Sequence, residues 1–313
     1  MPYFCLNMAA PWTDEFSYLR FSNRDDELVI CNPPGSICES PVYLKSKKTI
    51  DEHIQLVNEK QIKKAMVVGE DIGFLQQCPS LEELSINPSF DSYNFDFSPL
   101  YDLPNLKKLC CHTMYGQKED RISHVDYSKF RSLEELTVCE PKGHHNIHML
   151  KGLRVLYLSG KQPVSKTLVG AFDGEKLEEL SLVTSSVRNL NGLAQAPQLK
   201  KLELSYNRSL EDITDIVSVK DTLTHLEIDS CGKVKDFSVL GQLRNLQWLK
   251  LRGNNALPNL AFLNDLPNLQ TFILRMNVVD GDISMCLRIP SVSIIDRRHF
   301  SHKDADLPKI KMK

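Results

Sequence analysis

The chain has 313 residues, 42% of them hydrophobic, with 40 acidic residues against 38 basic ones and a formal net charge of −2. That balance excludes a binder of nucleic acid or of membrane surfaces held by bulk charge, so any charge signal must be local. No run approaches the roughly 18 apolar residues of a spanning helix, the first residues lack the basic and apolar regions of a secretory signal, and the nine cysteines are irregularly spaced, so the expectation is reduced thiols in a cytoplasmic protein.

Residues 1–60 do not carry the pattern that fills the rest of the chain. Phe16 to Phe21 and Glu27 to Cys31 read as short strands, Asn32-Pro33-Pro34-Gly35-Ser36 as a turn, and Pro41 to Leu44 as a third strand. Thr49 followed three residues later by Glu52 is a capping-box signature, after which Ile50, Ile54, Val57 and Ile62 suit one face of a helix. About sixty residues are few for an independent enzyme domain. An N-terminal cap over an exposed core is the expected role.

From residue 61 to residue 298 apolar residues fall every third position and then alternate. Val234, Phe237, Leu240, Leu243, Leu246 and Leu249 are followed by Leu251 and then Asn254; Leu257, Leu260, Leu263, Leu266, Leu269 and Phe272 are followed by Leu274 and then Asn277. Spacing of three lines one edge of a tight 3₁₀-like turn, and the L-x-L step is a short strand with both leucines inward. The signature starts again at Leu106, Leu133, Leu153, Leu177, Leu199 and Leu223, and Val292 with Ile295 is taken to continue it. Asn207, Cys231, Asn254 and Asn277 hold the position after the strand in four consecutive units, where a polar side chain satisfies the turning backbone. In the N-terminal half that position is irregular. Unit lengths vary there too, with loops expected to bulge near Asp91 to Asn94 and Gly116 to Arg121.

This pattern resembles the leucine-rich repeat, L-x-x-L-x-L-x-x-N/C, and its period of about 23 residues lies within that family's range. The spacing is similar to that of internalin ectodomains and of the leucine-rich regulator of a protein phosphatase. The resemblance implies an α/β fold, a curved solenoid with parallel strands on its concave face, 3₁₀ or short helical turns on its convex face, an N-terminal cap and a short C-terminal cap. Residues 299–313 read as a frayed C-terminal tail.

Three kinds of chemistry compete with a binding role. His144, His145 and His148 form a metal-site candidate, because histidines four apart on a helix share a metal; the metalloprotease pattern, however, needs Glu where His145 stands. Cysteine catalysis is disfavoured because the repeat sends Cys78, Cys111, Cys231 and Cys286 inward, leaving Cys110 and Cys139 expected on the outer strand face. An effector such as a bacterial ubiquitin ligase needs an appended catalytic domain for which the repeat leaves little room. Phosphate loops, the G-x-S-x-G elbow and paired CxxC motifs are missing from the sequence. No enzyme activity and no cofactor are expected.

Strand alternation displays the residues between the leucines. Glu203, Glu227 and Asp229 form an acidic group beside a basic one of Lys250, Arg252, Arg275 and Arg298, with Trp248 and His225 at the seam and Tyr157 further along. Adjacent opposite charges on such a face also have the option of pairing with each other. The expected function is a noncatalytic module, an adaptor, inhibitor or regulatory subunit, that binds a protein partner, not nucleic acid or membrane, through these residues. The alternative is a metal-dependent enzyme or sensor built on the histidines.

Overall fold

A computed structural model describes residues 28–32, 49–88, 95–112, 124–139, 143–161, 163 and 165–309. The strands expected at Phe16 to Phe21 and Pro41 to Leu44, the turn after Asn32 and both expected loop bulges lie outside these residues. The chain divides into two compact units, Met1–Asn146 and Ile147–Lys313.

In the first unit, β1 (Leu28–Asn32), β2 (Lys64–Gly69), β3 (Glu83–Pro88), β4 (Lys108–His112) and β6 (Glu135–Cys139) lie side by side in that order, all parallel. The short strands β5 (Val125–Asp126) and β7 (His144–His145) form a separate parallel pair. The register stacks identical roles: Ile30, Val67, Ile86, Cys111 and Val138 form one buried column, and Ala65, Leu84, Leu109 and Leu136 another. Each Val, Leu or Ile side chain of these columns removed from water stabilises the stack by roughly 1.5–3 kcal/mol. Helix α1 (Ile50–Lys60) begins with the expected capping box: the Thr49 hydroxyl accepts the Glu52 N–H at 3.2 Å, and the Glu52 carboxylate accepts the Thr49 N–H at 2.6 Å. Val57 is its fully buried apolar residue, while the ring of His53, whose Nδ1 lies 2.9 Å from the Thr49 carbonyl, takes the place beside it.

In the second unit, β8 (Val155–Ser159), β9 (Glu179–Val183), β10 (Lys201–Ser205), β11 (His225–Asp229), β12 (Trp248–Leu257), β13 (Thr271–Val278) and β14 (Ser291–Ile294) follow one another as parallel neighbours. Leu158, Leu182, Leu204, Ile228, Leu251, Leu274 and Ile294 make one continuous buried column. The period-three rows run through 3₁₀ turns such as Ser238–Gln242 and Ala261–Asp265, and all six residues from Val234 to Leu249 in that row are buried. A further signal opens these turns. Asp212, Asp236, Asn259 and Asp282 each accept the N–H two residues on, at 2.8–2.9 Å, which fixes the entry to the turn as an Asx motif.

The position after the strand behaves as expected in two units and shifts in the next. Asn207 accepts the Ser185 N–H and donates to the Leu182 carbonyl, and the Cys231 thiol donates to the Leu204 carbonyl. Just before them Thr184, Tyr206 and Ser230 adopt left-handed backbone, with φ of 53°, 56° and 54°. In β12 a register shift between Arg252 and Ala256 inserts two residues relative to β13, and Asn255, not Asn254, donates to the Cys231 and Val234 carbonyls while Asn254 is exposed.

Two expectations at the C-terminal end are corrected. Val292 and Ile294 fill the last rung, and Ile295 is 51% exposed, because the final unit is shorter than those before it. Residues 299–309, the described part of the expected tail, are packed: Phe300 and Leu307 are buried, and residues 304–309 close the free edge of β14. The Val292 N–H donates to the Pro308 carbonyl, the Ile294 N–H to Asp304 Oδ1 at 2.7 Å, and Lys309 Nζ to the Val292 carbonyl. An exposed strand edge is a template for aggregation, and this segment covers it.

Candidate functional site

The outward face of the second unit's sheet carries three rows. The first contains Glu179, Lys201, His225, Trp248 and Thr271, the second Tyr157, Ser181, Glu203, Glu227, Lys250 and Ile273, and the third Ser205, Asp229, Arg252 and Arg275, each in direct register with its neighbours. The sequence-derived alignment of these columns holds as far as Arg275. Arg298 departs from it: it lies exposed in a turn beyond β14, and Ile295, whose N–H reaches the Leu274 carbonyl at 3.3 Å, follows Arg275 instead.

Burial divides these residues in a way that alternation alone does not. Glu203, Glu227, Asp229 and Lys250 are at most 7% exposed. Lys250 Nζ sits 3.2 Å from Glu227 Oε1, and Arg252 lies 3.5 Å from Asp229 Oδ2. Glu203 accepts the hydroxyls of Ser181 and Ser205, and Asp229 that of Ser230. The expected acidic surface is therefore consumed internally. Burial pushes the Glu227 carboxyl up to about 7, with Lys250 opposing the shift and Glu203 adding to it.

What remains accessible is different in character. The rings of His225 and Trp248 stack with centroids 6.3 Å apart, His225 exposed and Trp248 half-buried. Partial burial, then Lys201, lowers the His225 pKa. The Arg252 side chain is 44% exposed, and Arg275 is held by donating to the Ser293 hydroxyl at 2.8 Å and to the Leu274 carbonyl. Tyr157 lies in the same middle row, three strands from Glu227.

The histidine cluster does not form the expected helical pair. His144 and His145 belong to strand β7; the Tyr127 hydroxyl lies 2.7 Å from His144 Nδ1, and His145 Nε2 lies 2.9 Å from His124 Nδ1 with the two rings stacked. His148 is exposed in the 3₁₀ turn Ile147–Met149. Among the described residues no group of three or more His, Cys, Asp or Glu side chains is arranged to hold a metal ion. Burial, reinforced by His145 and His124, lowers the His144 pKa to about 3, so the ring is neutral. Cys110 and Cys139, expected to face outward, are buried like Cys78, Cys111, Cys231 and Cys286, all of them free thiols. Desolvation pushes Cys78 up to about 11 and Cys231 and Cys286 to about 12, which suppresses the nucleophilic thiolate.

Sequence patterning missed Ile295, although Val292 and Ile294 in Ser291-Val292-Ser293-Ile294 already carry the L-x-L alternation that identifies the last strand.

No protein-family model matches the chain. Among solved structures it is similar to an internalin, internalin F, of Listeria monocytogenes, with a TM-score of 0.50 and 18% identity over 76% of this chain and 69% of that one. A leucine-rich-repeat protein of Leptospira interrogans matches at a TM-score of 0.42 and 17% identity, covering 78% of this chain and 73% of the other. Internalin C2 of Listeria monocytogenes gives 0.33 and 19%, over 72% and 79%. Parallel one-rung strands, 3₁₀ turns and the first of these likenesses define a leucine-rich-repeat fold. Among the described residues no helix is long and apolar enough to cross a membrane.

Proposed function

We propose that this protein is a noncatalytic protein-binding module, an adaptor, inhibitor or regulatory subunit of the cytoplasm, whose protein partner docks on the outward sheet face of the second unit. The observation that carries this reading is the stacked His225–Trp248 pair, with the exposed Arg252 guanidinium on the same strand as the Trp. Trp and Arg dominate binding energies at protein interfaces, and rigid presentation lowers the entropy lost on association. Buried thiols of raised pKa support a structural role for the cysteines. Asp229 acts from beneath by holding Arg252, while Lys250, Glu227 and Glu203 are buried in the middle row; Tyr157 extends the face to β8. Residues 1–60 serve as the N-terminal cap of the solenoid.

The test is a comparison of three baits, the wild type, Trp248→Ala and Arg252→Glu, in extracts of the native cell with quantitative mass spectrometry. A protein captured by the wild type and lost about tenfold or more from both folded variants is the expected result, since such positions cost about 2 kcal/mol or more. Identical captures by all three baits refute this site.

A further inference from the structure

The accessible part of this face is positive where its sequence composition is balanced, and that difference points to the partner's chemistry. Four charged side chains that the sequence displays as a bipolar surface are buried: Glu203, Glu227, Asp229 and Lys250. The carboxylates removed in this way are held by Ser181, Ser205, Ser230, Lys250 and Arg252. Positive charge stays accessible at Arg252 and Arg275. A single 3.5 Å contact to Asp229 engages one edge of the Arg252 guanidinium, a group that carries five N–H donors. Arg275 is oriented by Ser293 and the Leu274 carbonyl and retains the other donors of its fork. Of the nearby carboxylates, Asp304 interacts electrostatically with Arg275 but already accepts the Ile294 N–H and Lys309 Nζ, and Asp296 accepts the Asp304 N–H.

Apolar contact area lies on both sides of these cations. Ile295, 51% exposed, follows Arg275 in the third row, and Trp248 lies four residues before Arg252 on β12. The two guanidiniums stand on neighbouring strands, about 4.8 Å apart at the backbone, and Trp248 is about 13 Å from Arg252 along the strand. An extended chain advances about 3.3–3.6 Å per residue, so about four residues bridge the aromatic row and the arginine row.

We infer that the face takes a short extended peptide segment of acidic and apolar composition, its carboxylates on Arg252 and Arg275 and its apolar side chains on Ile295 and Trp248. This rests on the proposed binding role of the face and deepens it. A single-stranded nucleic acid would also use cations and an aromatic ring, but such sites track the backbone with a cationic groove, whereas here Glu179 lies 3.7 Å from Lys201 in the first row and Ile295 continues the arginine row.

A random peptide library displayed on phage is panned against the full-length wild type and against folded Arg252→Glu, Arg275→Gln, Ile295→Asp and Trp248→Ala, each checked by circular dichroism. The wild type is expected to enrich peptides in which Asp or Glu alternates with apolar residues. A synthetic copy of the best of these should bind about tenfold more weakly to Arg252→Glu and several-fold more weakly to Arg275→Gln and Ile295→Asp, and more weakly as salt rises. Enrichment of basic or uncharged peptides that Trp248→Ala abolishes overturns the acidic-segment inference and leaves the binding face standing. No enrichment, or enrichment that none of the variants affects, overturns both. Displacement of the enriched peptide by an equal concentration of oligo(dT) overturns peptide selectivity in favour of a general polyanion site.

Discussion

At the scale of single residues, two buried titratable groups give opposite pH signatures. Glu227 is raised by burial from 4.5 to about 7. A carboxyl that holds its proton more tightly when folded contributes stability that is full below pH 4.5 and is lost as pH rises through 7. The urea stability of the wild type, measured against that of Glu227→Gln, is therefore expected to fall between about pH 5 and 8, by on the order of 1–3 kcal/mol. A difference independent of pH would contradict the assignment. His144 is lowered from 6.5 to about 3 by burial and by its two histidine neighbours, so its contribution is full above pH 6.5 and is lost as pH falls toward 3. The acid limb of unfolding should thus be shallower in His144→Phe than in the wild type, once the lost contact to the Tyr127 hydroxyl is allowed for as a pH-independent offset.

At the scale of elements, the C-terminal segment decides how the second unit's sheet ends. β14 is a four-residue strand whose outer edge donates to Pro308 and Asp304 and accepts from Lys309. The Asp304 carboxylate binds both the Ile294 N–H and Lys309 Nζ at 2.7 Å. Asp304→Ala is expected to lower stability by about 1–3 kcal/mol through the unsatisfied edge donor, and to shift the protein toward larger species in size-exclusion chromatography. A variant that stays at wild-type stability and size would show that the segment does not act as a cap. β12 makes a related point: its register shift after Arg252 hands the polar post-strand role to Asn255 and leaves Asn254 in solvent. Backbone hydrogen-bond demand, not position in a repeat consensus, selects which Asn turns inward.

At the scale of the whole chain, stability is a sum over neighbouring rungs within each unit. Leu204 contacts the rungs on either side through its register partners Leu182 and Ile228. Leu204→Ala should cost about 2–5 kcal/mol. Hydrogen exchange should show protection lost first in β9, β10 and β11, with β13 and β14 close to wild type; uniform loss along the unit would argue against rung-by-rung additivity. The same architecture explains the functional reading. A ladder of short parallel strands presents a rigid row every two residues, so a binding surface needs only a few favourable substitutions on adjacent rungs.

The sequence by itself determined the repeat, the two inward columns, the helix start at Thr49 and the alignment of the outward rows up to Arg275, because these follow from periodicity and local capping, which act over a few residues. Only the tertiary structure decided which outward charges reach solvent. Glu203, Glu227, Asp229 and Lys250 occupy outward positions and are nonetheless buried, with Lys250 paired to Glu227 and Arg252 to Asp229 across adjacent strands. It also decided the ends: the shorter last unit moved Ile295 outward and displaced Arg298 from the basic row, and residues 304–309 supply the edge cover of β14. Contacts between rungs some two dozen residues apart in sequence control both outcomes, and local pattern carries no record of them.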